Sequence, residues 1–316
     1  MRTCFFMFGT FISVIGLGHV YFAGEEAPQV PGATPPAANG TVPRVRWSRL
    51  PASAPAAPLP SEEPVHALVR FVLEASGLEA ESYQPRPLRR RLAACLRALR
   101  APSEEAALMT LRRNPELLPT ALNAVLIGVS GFFRDKAVFD YLKEMLLPNA
   151  VRGGELRVLS VGCSAGQELY SVAMLLDEMG GLESSRLYGM DCRCAALEQA
   201  SAGWFDTAEL NGVAPERAKR YFSVEGARAL IQPRLKQAIC WEASNSWTLP
   251  QGAPFDLILF RNVAIYLKRA RAGALWSDLA AHLKPGGVLV TGKAERPPAE
   301  LELIREAPCI YRKRLM

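Results

Sequence analysis

An α/β fold with a mainly parallel sheet, preceded by a small all-helical domain, is the architecture this sequence predicts. Three observations carry it. Short apolar runs at Leu156–Val161, Leu187–Met190, Phe255–Phe260 and Val288–Thr291 are separated mostly by amphipathic segments of ten or more residues, the strand–helix alternation of a parallel sheet. Before residue 131 the apolar residues recur instead at helical spacing. Apolar residues at 49% and charged residues at 22% lie close to the globular average, which excludes a wholly disordered chain and a multi-span membrane protein. At 316 residues the chain is long enough for one large domain with a smaller partner.

From the N-terminus, residues 1–24 are a hydrophobic segment, uncharged from Cys4 to Gly24 behind Arg2, the outline of a signal peptide, a membrane anchor or an inert extension. The stretch before Ala23 has no A-x-A cleavage pattern, and glycines and polar residues dilute a span. Arg44, Arg46 and Arg49 beyond it favour leaving the rest of the chain in the cytoplasm, so membrane contact is expected only through residues 4–24. Residues 25–64 hold ten of the 24 prolines, with Ala, Gly and Ser and no apolar period, and read as a linker. The small helical domain is expected over 65–130. Its first helix follows from Val65, Leu68, Val69, Val72 and Leu73 on one face, ending near Gly77. A second is expected at about Leu88–Leu99, carrying Arg89, Arg90 and Arg91 on a basic exposed face. Ser103 caps a third, with Glu104 and Glu105 in its first turn, and Pro115 opens a fourth running toward Ile127.

Ligands of such sheets sit at the carboxyl ends of the strands, so chemistry is expected just after each apolar run. The first run ends in Gly162-Cys163-Ser164-Ala165-Gly166-Gln167-Glu168, where small residues at 162, 164 and 166 permit a tight turn and close approach of backbone to a nucleoside or nucleotide. The strict GxGxxG of dinucleotide enzymes is absent. The same turn also satisfies a nucleophile elbow, with Ser164, Asp256 and His282 in the order of an α/β-hydrolase, although no oxyanion loop precedes it and His282 falls at a helix end. The second run ends at Asp191, 29 residues after Gly162, suited to accept hydrogen bonds from ribose hydroxyls. The third delivers Arg261, Asn262 and Tyr266 to the same edge. Seven scattered cysteines without a CxxC pair, and three distant histidines, predict reduced thiols and no metal site. The net charge of +6 suits an acidic protein as well as a nucleic acid.

Six ordered segments together resemble the CheR chemoreceptor methyltransferases: Gly128–Arg134, Gly162–Ser171, Asp191, Asn245, Arg261–Tyr266 and Lys284–Glu295. The resemblance covers about four-fifths of the chain. It implies a Rossmann-like class I methyltransferase domain over 131–316 with a short β-insert, S-adenosyl-L-methionine as cofactor, and methyl-ester formation on glutamate side chains. It also implies that Ser130, Arg134 and Glu168 lie at the donor's methionine and sugar, Asp191 at its ribose, Asn245 with Ser246 near adenine, and Arg261, Asn262 and Tyr266 at the transfer site. Gly162, Ser164 and Gly166 would form the donor turn, and Arg134 and Tyr266 would act in transfer. A glutamate of ordinary pKa ~4.3 is already anionic at neutral pH, so no general base is required. The expected partner is an acidic or helical protein such as a chemoreceptor cytoplasmic domain, docking on the Arg89/Arg90/Arg91 face, with the enzyme a cytoplasmic monomer and no nucleic acid involved. Departures are Gly128 for the usual Asn, Ser130 for Thr, Gln167 for the first Glu of the pair and Leu169 for Pro. Gly128 and Gln167 motivate a second reading, a catalytically weak S-adenosylmethionine-binding scaffold. The family's β-insert corresponds to Arg220 through Trp241.

Overall fold

In a computed structural model the protein is described over residues 65–315, apart from 127, 129, 147, 149–151, 153, 245–247, 251 and 253. The expectations for residues 1–24 and 25–64, and for Asn245 and Ser246, lie outside the described residues. No helix among the described residues is long and apolar enough to cross a membrane.

The leading helices are α1 (Ala67–Ala75), α2 (Pro85–Arg89), α3 (Leu92–Ala98), α4 (Glu104–Arg113) and α5 (Leu118–Val125). In α1 the apolar stripe Leu68, Val69, Val72 and Leu73 is buried. Ser103 Oγ accepts the Ala106 N–H at 3.2 Å to cap α4, whose last turn carries Arg112 and Arg113 against the helix dipole. The single helix expected at 88–99 is two, broken at Arg90–Arg91. The cause is tertiary: the Arg91 guanidinium donates twice to the Ala124 carbonyl, at 3.0 and 2.7 Å, satisfying a carbonyl that the end of α5 leaves without an intrahelical partner. Arg91 is thus committed to the fold, and Arg90 is the exposed arginine of the three.

The four expected strands form, joined by three more. In chain order the strands are β1 (Leu156–Val161), β2 (Ser185–Asp191), β3 (Trp204–Asp206), β4 (Phe222–Glu225), β5 (Arg228–Ile231), β6 (Ile239–Ala243), β7 (Phe255–Phe260), β8 (Leu283–Thr291), β9 (Leu303–Ala307) and β10 (Ile310–Lys313). The main sheet runs β6-β2-β1-β7-β8-β10-β9, parallel except at β10, which is antiparallel to both neighbours. The remaining three strands make a small antiparallel sheet, β3-β5-β4. This insert therefore spans Trp204 to Ile231, earlier than expected, because Trp241 is drawn into the parallel ladder of β6 beside Gly189.

The strands alternate between two cores, as period-2 side chains must. Leu159, Val161, Ile258, Phe260 and Leu289 pack with α1–α5 and with Leu275, Trp276 and Leu279 of α11 (Arg269–Ala281). Val158, Leu257, Leu259, Val288 and Val290 pack on the other face with α6 (Lys136–Tyr141), α7 (Gln167–Glu178) and the insert. Between α7 and α11 lie α8 (Cys194–Ala202), α9 (Pro215–Tyr221) and α10 (Pro233–Gln237). Residues 65–315 belong to one compact unit.

Candidate functional site

Strand order reverses between β1 and β7, since β1 leads outward to β2 and β6 while β7 leads outward to β8. A parallel sheet opens a crevice at such a point, outside the carboxyl ends of its strands. The register pairs Val161 with Met190 and Ser160 with Leu259, so Gly162, Asp191 and Arg261 emerge side by side. Gly162 has φ +72, and a Cβ there would stand 2.6 Å from Val263 Cγ2. Only glycine meets both conditions. Ser164 adopts φ 55 and its N–H donates to Asp191 Oδ2 at 2.7 Å. Asp191 Oδ1 accepts the N–H groups of Cys192 and Arg193 at 2.8 and 3.0 Å, so this buried carboxylate is fixed by backbone from both loops.

Beside it is a chain of opposite charges. Arg261 donates to Glu168 Oε2 and Asp135 Oδ2, both at 2.5 Å, and to the Arg134 carbonyl at 3.1 Å. Lys293 Nζ lies 2.6 Å from the other Asp135 oxygen. Burial alone would lift the Asp135 carboxyl, but the Lys293 hydrogen bond and the charges of Arg261, Lys293 and Arg134 hold it below the ordinary carboxylate range. Burial likewise opposes the charge on Arg261, and Glu168 and Asp135 outweigh it, raising the guanidinium pKa. The loop after β7 is pinned by Glu295, whose carboxylate accepts the N–H groups of Asn262, Val263, Ile265 and Gly292 at 2.6, 2.7, 3.4 and 2.8 Å. Burial pushes the Glu295 carboxyl up more than these four donors pull it down.

The residues expected at 130, 134, 162, 164, 168, 191, 261 and 262 line one pocket, together with Gly128, Cys163, Arg193 and Val263. Two expected residues stand outside that lining. Gly166 has φ +83 and would clash through a Cβ with Trp241 at 2.5 Å and Ala200 at 3.2 Å, so its smallness serves helix–sheet packing at the start of α7. Tyr266 is buried at the end of the 3₁₀ turn Ala264–Tyr266, and its carbonyl accepts the Gln84 N–H. The hydrolase arrangement does not form. Asp256, at the start of β7, accepts Lys284 Nζ at 2.8 Å and the Arg157 N–H, while His282 Nδ1 pairs with the Asp278 carbonyl at the end of α11. Both lie at the opposite end of the sheet from Ser164, a separation of about 20 Å over the six residues of β7.

Reading the sequence did not single out Arg193, Asp135 or Glu295 for the site. Asp135 follows Arg134 directly, and Glu295 closes the Lys284–Glu295 segment, so position was their signal. Arg193 offered none beyond lying two residues after Asp191. The lining is chemically suited to S-adenosylmethionine: carboxylates for hydroxyl and cationic groups, guanidinium groups for a carboxylate, and small residues where backbone must come close. Gln167, the departure beside Glu168, donates to Glu209 Oε2 at 2.7 Å and does not line the pocket.

The chain is 27% identical over 229 residues to a chemotaxis protein methyltransferase of Listeria monocytogenes, covering 72% of this chain and 87% of that protein. It is 32% identical over 197 residues to chemotaxis protein methyltransferase 1 of Pseudomonas aeruginosa, covering 57% and 72%. A chemotaxis protein methyltransferase of Vibrio anguillarum is 32% identical over 215 residues, covering 64% and 78%. The family model described as "CheR methyltransferase, SAM binding domain" matches residues 128–309, which begin at the Gly128 edge of the pocket and end in the turn between β9 and β10. With a Rossmann-like sheet, a pocket at its switch point and this match across more than half of its length, the chain belongs to the CheR family of S-adenosylmethionine-binding methyltransferases.

Proposed function

We propose that the protein forms methyl esters on glutamate side chains of a partner protein, and that the partner is a chemoreceptor-like signalling protein. The observation that carries this is the convergence of Ser130, Arg134, Glu168, Asp191, Arg261 and Asn262 on one pocket whose described lining contains no histidine. S-adenosylmethionine supplies a methyl group on a sulfonium, an electrophile that an anionic carboxylate attacks without a general base. The protein's work is then binding, orientation and exclusion of water. Asp191 accepts hydrogen bonds from the ribose, and the family resemblance assigns Asn245 to adenine. Arg134 holds a carboxylate, which its planar fork suits better than a point charge would. Arg261 has its charge neutralised by Glu168 and Asp135, so it frames the pocket instead of offering a free cation. Tyr266 lies outside the described lining, and its role in orienting the incoming carboxylate rests on the family resemblance. The partner class follows the names of the relatives, and exposed Arg90 offers an acidic helix a place to dock.

The test is incubation of the purified protein with methyl-labelled S-adenosylmethionine and fragments of candidate receptors. Label should appear in the receptor and leave as methanol in mild alkali. Alkali-stable label would assign transfer to nitrogen or sulfur instead, and bound donor without label in any fragment would favour the scaffold reading.

A further inference from the structure

The pocket contains a third guanidinium, beside Arg134 and Arg261, that the proposed function leaves without a task. Arg193 begins the turn into α8 and is buried. Its Nη2 donates to Ser164 Oγ at 2.9 Å, and its Nε lies 3.3 Å from Asp191 Oδ1. That oxygen already accepts two backbone N–H groups, and the other accepts Ser164 N–H. A carboxylate offers about four acceptor positions. With Arg193 Nε, Oδ1 carries three donors on two lone pairs while Oδ2 keeps one open position, so the carboxylate cannot take a pair of ribose hydroxyls, one on each oxygen, while Arg193 holds it.

Space argues the same way. A Cβ built on Gly128 would lie 2.0 Å from Arg193 Nη2, 2.6 Å from its Cζ and 2.4 Å from Ser164 Oγ. The guanidinium therefore occupies the volume that a side chain at 128 would need, and Gly128 permits this placement. The enclosed cavity remaining among the lining residues is about 30 Å³, on the order of one or two water molecules.

We propose that Arg193 is a latch on the donor site: its guanidinium and the donor's ribose compete for Asp191, and the donor binds only when Arg193 swings away from Gly128 and Ser164. This rests on the assignment of Asp191 to the ribose. The backbone N–H groups of Cys192 and Arg193 keep their bonds to Asp191 in both states, so only the side chain has to move. The latch sets apparent affinity, because affinity is reduced by the fraction of molecules in the competent state.

Calorimetric titration of the full chain with S-adenosylhomocysteine tests this, comparing wild type with R193A, R193M and D191A, each verified as folded by circular dichroism. R193A should bind with one-to-one stoichiometry and roughly three- to tenfold more tightly than wild type. R193M, which keeps bulk but loses the hydrogen bonds, should fall between them. In wild type labelled with ¹⁵N, the Arg193 Nε–H resonance, assigned by its loss in R193A, should shift on adding the ligand. Weaker binding by R193A would make Arg193 a direct donor contact and overturn the latch, and affinity within a factor of about two would make it structural. If D191A weakens binding while R193A does not tighten it, the latch alone falls. If D191A binds like wild type, the ribose assignment falls and the competition with it. If folded wild type and R193A both fail to bind at high micromolar ligand, the donor-site reading itself is wrong.

Discussion

Four residues around the pocket adopt left-handed backbone without being glycine: Phe133, Asp135, Ser164 and Asn262, with φ of 51, 62, 55 and 61. Each such conformation costs about 1–2 kcal/mol, and it persists where surrounding contacts over-determine it. The contacts are visible. Phe133 N–H donates to Ser171 Oγ, Asp135 is held between Arg261 and Lys293, Ser164 N–H is held by Asp191, and Asn262 N–H by Glu295. Of the four, Ser164 after β1 and Asn262 after β7 line the pocket, one on each side of the switch point. Tyr266 is buried at the loop's far end. If its hydroxyl orients the accepting carboxylate, Tyr266→Phe removes one hydrogen bond of about 1 kcal/mol. Turnover should then fall roughly five- to tenfold with S-adenosylhomocysteine affinity unchanged. Normal turnover with lost affinity would move Tyr266 into the donor pocket.

At the scale of elements, the loop from Arg261 to Tyr266 holds its shape through one carboxylate. Glu295 takes four backbone donors from this loop and from Gly292 at the end of β8, so two adjacent strand ends share a single anchor. Glu295→Ala would leave buried N–H groups without a protein acceptor, a loss of about 2–4 kcal/mol when unsatisfied groups cost about 1–3 kcal/mol each and some recover water. Thermal denaturation should show this destabilisation together with weakened S-adenosylhomocysteine binding. Glu295→Gln retains one acceptor oxygen and should recover part of both, and full stability of the Ala variant would show that the loop is held by something else. The turn on the opposite side is anchored differently: Phe132 packs edge-on against Phe205 and Phe222 of the insert, with centroids 4.9 and 5.3 Å apart. This bond between the Gly131–Arg134 turn and the small sheet gives the insert a structural part in the pocket, independent of any partner it meets.

Across the whole molecule, the leading helices and the sheet share one apolar core instead of meeting at a polar interface. Leu68, Leu73 and Val125 belong to the same cluster as Phe260, Trp276 and Leu289. Polar ties reinforce it: Gln84 Nε2 donates to the carbonyls of Ile265 and Leu267, each at 3.1 Å, and Lys268 N–H donates to the Ser82 carbonyl. The helices thereby brace the loop that carries Asn262 and Tyr266. A shared core predicts that the two regions unfold together, so scanning calorimetry should give one transition for them with calorimetric and van't Hoff enthalpies in agreement. Leu73→Ala, at a fully buried site, should cost about 2–5 kcal/mol and shift that transition as a unit. A second peak that moves alone would show the helices to be independently stable. Sequence by itself determined the apolar runs, the glycine-rich turn and the polar residues just after each strand, because strand period, turn chemistry and position along the chain are local properties. Tertiary structure alone decided that Arg91 would cap α5, that Arg261 would be neutralised by Glu168 and Asp135, that Glu295 would hold the loop and that Arg193 would lie against Gly128. Those outcomes depend on which side chains meet after residues tens of positions apart are brought together, and on desolvation that forces each buried charge or N–H group to find whichever partner lies within reach.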